Sequence, residues 1–137
     1  MEYIGIDIGT SSICGIAYNP SDKSSKTIVK ENNANLVSNC QWERIQDPER
    51  IYRIVEQMIG ELRILCTDIK GIGFSGQMHG ILYVDANGVA ASPLYTWQDG
   101  RGNLPYKDGE TYAGYMTKVT GWPMATGYGL ATHYYNL

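Results

Sequence analysis

The sequence predicts an α/β domain with a mixed sheet, and three observations lead to this fold class. Two apolar segments at residues 3–8 and 13–18 flank a short turn, which is typical of an antiparallel strand pair. An amphipathic helix at 48–65 follows, and a second buried strand at 69–75 comes after it. Because a crossover connection through a helix joins parallel strands, we expect the strand at 69–75 to run parallel to the first.

The composition is that of one folded domain. The chain has 137 residues, of which 43% are hydrophobic and 18% are charged, and this balance excludes a disordered chain. The formal net charge is −3. We expect no nucleic-acid partner, because no basic face is evident to neutralise a phosphate backbone.

The cysteines and the apolar runs bear on the location of the protein. Cys14, Cys40 and Cys66 are widely spaced and contain no Cys-x-x-Cys pair, so neither a disulfide framework nor a zinc site is indicated. No apolar run approaches the roughly 18 residues that span a bilayer, and the N-terminus lacks a basic segment and a cleavage pattern. We therefore expect a cytoplasmic protein with no membrane partner.

The first half of the chain carries the strongest local signals. After a turn at 19–22, β-branched residues at 26–31 predict a third strand, which completes a three-stranded meander. The polar segment 32–46 gives no prediction. Asp47, Pro48 and Glu49 supply a side-chain cap, a proline at the first helical position and an acidic first turn, so a helix begins there. Its apolar stripe, which we expect to face the core, comprises Ile51, Ile54, Val55, Met58, Leu62 and Leu65.

The second half is predicted in less detail. Segments 81–84 and 89–97 are interpreted as extended and joined by a turn at 85–88, and the glycine-rich stretch 98–109 as an exposed loop. A short helix is predicted at 110–119, and another at 127–137 with Leu130, Tyr134 and Leu137 on one side. This last helix has no capping residue, so we expect the chain to be a piece of a longer protein.

The turn at residues 9–12, hereafter the 9–12 turn, is the first candidate site. Asp7 is the one charge in an apolar strand, and a carboxylate there is costly unless a cation or a hydrogen bond meets it. Gly9 leaves room for a ligand beside the backbone, and Thr10, Ser11 and Ser12 add hydroxyl donors that suit phosphate oxygens. The alternative is an ordinary hairpin turn with an acidic residue at the sheet edge.

A second group of candidates follows the strand at 69–75. Its glycines, Gly71, Gly73 and Gly76, match the dinucleotide fingerprint, but they lie within the strand and extended sequence follows, so we reject that interpretation. The next residues, Gln77-Met78-His79-Gly80, place polar groups at a strand end, where α/β folds bind ligands.

Residues 97–101 form the third candidate segment. Trp97 is an aromatic plate that can stack on a sugar, while Asp99 and Arg101 can hydrogen-bond hydroxyl groups. The alternatives are a structural histidine at position 79 and a packed tryptophan beside a surface Asp/Arg pair.

Two motifs carry a resemblance to known proteins. Gly-Ile-Asp-Ile-Gly-Thr-Ser-Ser (residues 5–12) resembles the first phosphate motif of the actin-like ATPase superfamily. Ser-Gly-Gln-Met-His-Gly (75–80) and Leu-Tyr-Thr-Trp-Gln-Asp-Gly-Arg (94–101) are similar to the N-terminal domain of the FGGY carbohydrate kinases. Gln-Met-His resembles the ketose kinases, and Trp-Gln-Asp-Gly-Arg with Ala-Thr-Gly-Tyr-Gly-Leu-Ala-Thr (125–132) is closer to sedoheptulokinases than to xylulokinases.

The resemblance implies a fold, cofactors and roles for named residues. The fold is the RNase H-like α/β fold of the actin-like ATPases, here truncated, and the cofactors are ATP and Mg²⁺. Asp7 corresponds to the metal-holding aspartate, and the 9–12 turn (Gly9, Thr10, Ser11 and Ser12) to the phosphate-binding turn. The residues implied as sugar contacts are Met78, His79, Trp97 and Asp99, with Gln77, Arg101 and Tyr128 as weaker candidates.

The resemblance also implies that this chain is only part of an enzyme. Residues 1–137 correspond to the N-terminal part of the first, sugar-binding domain. We expect the rest of that domain, with the catalytic aspartate base, and an ATP-binding second domain to lie outside this chain. The implied reaction phosphorylates a ketose, sedoheptulose or xylulose, at a primary hydroxyl, and we expect this fragment alone to be inactive. Whether the complete protein is a homodimer stays open, as do two alternatives, a chaperone-type or filament ATPase and a non-catalytic sugar-binding module.

Overall fold

The computed structural model describes all residues from Met1 to Leu137. The chain divides into two compact units. Unit 1 comprises Met1–Ala34 and Glu49–Gln77, and unit 2 comprises Asn35–Pro48 and Met78–Leu137. The elements in chain order are β1 (Glu2–Ile8), β2 (Ser12–Asn19), β3 (Ser24–Glu31), β4 (Ile45–Gln46), α1 (Pro48–Ile64), β5 (Ile69–Gly76), β6 (Leu94–Tyr95), a 3₁₀ turn (Arg101–Asn103), α2 (Tyr112–Thr120) and α3 (Gly129–Asn136).

Unit 1 is a four-stranded mixed sheet in the order β3-β2-β1-β5. The pairs β1/β2 and β2/β3 are antiparallel, whereas β1 and β5 are parallel. The predicted meander and the predicted parallel crossover strand are therefore both confirmed. Because β1 and β5 run in the same direction, their carboxyl ends lie at one edge, where Asp7 pairs in register with Ser75.

Helix α1 supplies the core of unit 1. It begins at Pro48, as the sequence predicts, with Glu49 in its first turn and Arg63 in its last, both favourable to the helix dipole. Four residues of the predicted stripe are buried, whereas Leu65 lies beyond the end of the helix and is exposed. Gly15 of β2 accommodates this packing, since a side chain there would overlap Met58 and Leu62. The buried stripe residues are Ile51, Val55, Met58 and Leu62.

Unit 2 contains little regular strand. The segments predicted as an extended pair form single bridges, Val84 with Ala90 and Ile81 with Tyr95, and only the two residues of β6 pair with β4. The predicted exposed loop at 98–109 is wrong in its first part, because the 3₁₀ turn there is largely buried. The reason is the buried ion pair between Asp99 and Arg101, which is described with the site below.

The two helices of unit 2 are confirmed with shorter bounds. Helix α2 is capped by Thr111, whose side chain accepts from the Gly114 amide, and ends at Gly121, which takes the left-handed conformation with φ 74°. Helix α3 buries Ala131 and Thr132, whereas Leu130 and Leu137 are exposed. The buried residues of that helix are therefore its small ones, and on the side predicted to be apolar only Tyr134 makes ring contacts, with Tyr106, Tyr112 and Tyr115. None of the three helices combines the length and apolarity that a membrane crossing requires.

Candidate active site

Asp7 lies exposed at the carboxyl end of β1. Its Oδ1 accepts a hydrogen bond of 2.5 Å from Ser75 Oγ on the neighbouring strand β5. Its Oδ2 is on the side of the 9–12 turn, 4.0 Å from the point that a Cβ at Gly9 would occupy. One carboxylate oxygen is thus fixed by the protein, and the other faces the turn.

The 9–12 turn leaves no room for a side chain at its first residue. A Cβ at Gly9 would come within 2.6 Å of the Ser12 carbonyl oxygen, so the turn requires glycine there. Thr10 Oγ1 donates to Gln77 Oε1 at 3.2 Å, while the side chains of Ser11 and Ser12 are exposed. Gly9 is therefore required by the close approach of the Ser12 carbonyl oxygen, and not by room for a ligand as the sequence analysis expects. The exposed hydroxyl groups of Ser11 and Ser12 remain as donors that suit phosphate oxygens.

Gln77 belongs to this part of the molecule. Its amide donates to the Ile8 carbonyl at 3.0 Å, which extends the pairing of β5 with β1, and its side chain accepts from Thr10. The sequence placed Gln77 among the sugar contacts, whereas the structure brings it to the 9–12 turn. Its contact with a sugar stays a prediction.

The chemistry of the donors fits a magnesium ion held largely by a substrate. No group of three or more His, Cys, Asp or Glu side chains is arranged to hold a metal ion. At the carboxyl end of β1, the carboxylate beside the 9–12 turn is that of Asp7. Magnesium keeps several waters and is often bound by one or two carboxylates together with the phosphates of a nucleotide. Asp7 Oδ2 beside the 9–12 turn matches that mode.

In unit 2, His79 takes an unusual backbone conformation. Its φ is +65°, and the Gly80 amide donates to the Met78 carbonyl at 2.9 Å across it. A left-handed residue other than glycine costs free energy, and such residues are concentrated at functional sites. The imidazole is exposed and stacks on the Tyr128 ring, with the ring centroids 4.2 Å apart and the planes 10° from parallel.

Two glycines bring the segment around Tyr128 against the other sugar candidates. Gly127 has φ +80°, and a Cβ there would overlap the backbone of Trp97. A Cβ at Gly129 would lie 3.2 Å from the Gly80 carbonyl oxygen and 3.4 Å from that of His79. The backbone of 127–129 therefore contacts both candidate segments, and only residues without side chains permit this approach.

Four of the predicted sugar contacts are thereby brought together in unit 2. Met78 and Trp97 are 68% and 46% exposed, and His79 and Tyr128 are stacked. Aromatic faces, a thioether and two polar ring groups suit the apolar face and the hydroxyl groups of a sugar. We call Met78, His79, Trp97 and Tyr128 the sugar cluster.

Asp99 and Arg101 have a different environment from the one that the sequence predicts. Asp99 is 0% and Arg101 3% exposed. Asp99 Oδ1 accepts from Arg101 Nε at 2.6 Å and from the Arg101 amide at 3.1 Å, and its Oδ2 accepts from the Arg44 amide at 3.0 Å and from Arg101 Nη2 at 3.2 Å. The carboxylate is saturated by protein donors, so the structure offers no support for a direct sugar contact by Asp99.

Arg101 is the centre of a buried network. Its guanidinium also donates to Glu43 at 2.9 Å and to Asn136 at 2.6 Å, and it lies 4.2 Å from the centroid of the Tyr95 ring. Burial alone would lower the pKa of Arg101, but the hydrogen bond and the charge of Asp99 raise it on balance. Arg101 is therefore a permanent cation that ties the segment after Trp97 to helix α3.

The structure adds residues that the sequence analysis did not single out. Ser75 binds Asp7, and the parallel register of β1 and β5 was the signal that would have paired them. Asn32 is buried and binds the 9–12 turn, but it lies in the polar segment 32–46, whose structure the sequence does not predict. The approach of Gly127 to Trp97 depends on tertiary contacts that no local pattern encodes.

Comparisons with known proteins bear on the whole chain. The sequence model of the FGGY family of carbohydrate kinases, N-terminal domain, matches residues 2–131. The chain is 33% identical over 104 residues to the xylulose kinase of Escherichia coli (strain K12), covering 72% of this chain and 20% of that protein. It is 28% identical over 158 aligned positions to the sedoheptulokinase of Mus musculus, covering 98% of this chain and 32% of that protein.

A solved structure supports the fold. The ligand-bound xylulose kinase from Lactobacillus acidophilus superposes with a TM-score of 0.66 at 22% identity. The match covers 88% of this chain and 22% of that structure's chain. At this identity the likeness establishes the fold only. The chain spans about a fifth of the length of the xylulose kinases that it matches.

Proposed function

The chain belongs to the FGGY family of carbohydrate kinases, and on that premise we propose that it is the N-terminal part of an ATP-dependent ketose kinase. The complete protein would transfer the γ-phosphoryl group of Mg-ATP to a primary hydroxyl of the ketose. Residues 1–137 would form the N-terminal part of the sugar-binding domain. The catalytic base and the domain that binds the adenosine of ATP would lie elsewhere in the complete polypeptide.

One observation carries the proposal: the family match extends over residues 2–131, which include both the 9–12 turn and the sugar cluster. A chaperone-type ATPase would need the turn alone, and a sugar-binding module would need the cluster alone. A kinase needs both, because phosphoryl transfer depends on positioning an acceptor and neutralising the phosphates.

The residues of unit 1 have the phosphate role. Asp7, with Oδ1 fixed by Ser75, would present Oδ2 to Mg²⁺ or to its water shell. When bound, the ion neutralises negative charge on the transferring phosphate. The hydroxyl groups of Ser11 and Ser12 would donate to phosphate oxygens, and Gly9 would permit the tight turn that presents them.

The residues of unit 2 have the sugar role. His79 and Tyr128 form a stacked pair whose polar atoms can bind hydroxyl groups, and the exposed part of Trp97 can cover the apolar face of the sugar. The names of the curated relatives, xylulose kinase and sedoheptulokinase, favour a ketose of five or seven carbons. Asp99 and Arg101 would stabilise the segment that carries Trp97 without touching the substrate.

A substrate panel on the complete protein tests the proposal. ADP formation is measured with Mg-ATP and, separately, xylulose, sedoheptulose, ribulose and fructose, with glycerol as the acceptor that is not a ketose. We expect turnover with xylulose or sedoheptulose, and a product phosphorylated at a primary hydroxyl. ATP hydrolysis that no sugar stimulates would instead identify a non-kinase ATPase, and sugar binding without ATP turnover would identify a binding module.

A further inference from the structure

Asn32 is a buried polar residue that forms hydrogen bonds to the 9–12 turn. It follows directly after β3 and is 3% exposed. Its side-chain Nδ2 donates to the Gly9 carbonyl oxygen at 2.8 Å, and its backbone amide donates to the Ser11 carbonyl oxygen at 2.9 Å. Its Oδ1 in turn accepts from the Ala34 amide at 3.3 Å. One residue therefore engages two of the carbonyl groups of the turn.

We propose that Asn32 is the positioning residue that keeps the 9–12 turn in a phosphate-accepting shape. This inference rests on the proposed function, in which the turn meets the phosphates of ATP. A carbonyl oxygen that faced a phosphate would repel it, whereas amide and hydroxyl donors attract it. Asn32 binds the carbonyl oxygens of Gly9 and Ser11, the residues before and after Thr10. These two acceptors are thereby held towards Asn32 and not towards a phosphate.

The position requires both a donor and an acceptor in a short side chain. Aspartate at position 32 would keep the acceptor for Ala34 but lose the donor to Gly9, and would place a buried negative charge behind the turn. Serine would keep a hydroxyl group near the backbone but is too short to reach Gly9 in the same way. Either substitution leaves the Gly9 carbonyl oxygen without its side-chain partner.

The neighbouring Asn33 provides a matched control. It is exposed, and its Oδ1 accepts from Arg50 Nε at 2.8 Å, away from the 9–12 turn. Asn33→Ser therefore makes the same chemical change one residue along the chain without touching Gly9 or Ser11. A difference between the two positions isolates the contact with the turn from a general effect of losing an asparagine.

The test measures the dissociation constants of Mg-ATP and of the ketose by calorimetry on the complete protein, together with its melting temperature. For Asn32→Ser and Asn32→Asp we expect the Mg-ATP constant to rise by about fivefold to fiftyfold, the cost of one lost part-buried hydrogen bond. The ketose constant should stay within about twofold, since the substitution alters the 9–12 turn and changes no residue of the sugar cluster. Asn33→Ser should change neither constant.

A merely structural role gives a different pattern. If both Asn32 variants bind Mg-ATP like the wild type, or if the Mg-ATP and ketose constants worsen together, the inference is wrong. If Asn32→Asp does not fold because of its buried charge, the uncharged Asn32→Ser decides. A wild-type protein that binds Mg-ATP but phosphorylates no ketose would refute the proposed function alone, and weaker nucleotide binding by Asn32→Ser would still support the inference. A wild-type protein that binds no nucleotide would overturn both.

Discussion

The Asp99→Asn substitution separates a sugar contact from a structural support. In the structure the Asp99 carboxylate is fully buried and accepts four hydrogen bonds, three of them from Arg101 and one from the Arg44 amide. Asparagine offers one oxygen and places an NH₂ group against some of these donors. It also removes the charge that compensates the buried guanidinium.

The magnitude follows from the partners that remain. Removing one member of a buried ion pair costs about 3–5 kcal/mol. Arg101 keeps Glu43 at 2.9 Å as a second counter-ion, so we expect the lower end of that range, about 3 kcal/mol of unfolding free energy. The matched control is Asp68→Asn, which breaks an exposed pair with Lys70 at 2.9 Å and should cost less than about 1 kcal/mol.

The assay is equilibrium unfolding in urea with a parallel measurement of the ketose Michaelis constant in the complete protein. We expect Asp99→Asn to lower the unfolding midpoint clearly, while the folded fraction keeps a ketose constant within a few-fold of wild type. The reasoning is refuted if the variant unfolds at the wild-type urea concentration and the ketose constant rises tenfold or more. That result would mean that the carboxylate meets the sugar after all.

Four further predictions concern Asp7, Trp97, the isolated chain and Glu2. Asp7→Asn should lower turnover of the complete enzyme by at least about a hundredfold without changing its melting temperature, because the metal-facing charge is lost; normal turnover would remove Asp7 from the metal site. Trp97→Ala should raise the ketose Michaelis constant about tenfold to a hundredfold and leave that of ATP unchanged, whereas Trp122→Ala, at an exposed position outside the cluster, should change neither. The 137-residue chain alone should form no sugar-dependent ADP, since the expected base and second domain lie outside it. Finally, the backbone amides of Asp68 and Thr67, just before β5, donate to the Glu2 carboxylate and lower its pKa. Its stabilising contribution is therefore present above the unfolded value of about 4.3 and lost as the pH falls through the lower folded value. A melting curve of Glu2→Gln with the same acid dependence as wild type would contradict this.

The elements that sequence reasoning captured are those with local signals. The first three strands, the start of α1 and the parallel strand β5 all follow from periodicity, from the Asp47-Pro48-Glu49 start and from connection rules. The C-terminal end of α2 is equally local, because Gly121 supplies the left-handed residue that ends a helix.

The burial of charged residues could not be predicted in the same way. Asp99 and Arg101 are two residues apart in a glycine-rich stretch, a pattern that is typical of an exposed loop. They are buried because Glu43, Asn136 and the Tyr95 ring complete the environment of the guanidinium, and these partners come from distant segments.

The buried residues of α3 and the close contacts around the site could not be predicted from hydrophobicity. The helix buries Ala131 and Thr132 and exposes Leu130, the reverse of what hydrophobicity predicts. Gly127 and Asn32 likewise act through close backbone contacts, with Trp97 and with the 9–12 turn. Such contacts depend on the tertiary arrangement, so a single sequence contains no local signal for them.

Ketose-dependent phosphorylation by the complete protein would distinguish a ketose kinase from a non-kinase ATPase and from a sugar-binding module. Purified protein is mixed with Mg-ATP and either xylulose or sedoheptulose, and the sugar phosphate is identified by mass spectrometry alongside ADP. We expect equal amounts of ADP and a ketose monophosphate from the wild type, and neither product from Asp7→Asn on the same timescale. ADP formed at the same rate with and without a ketose, and no sugar phosphate, would contradict it.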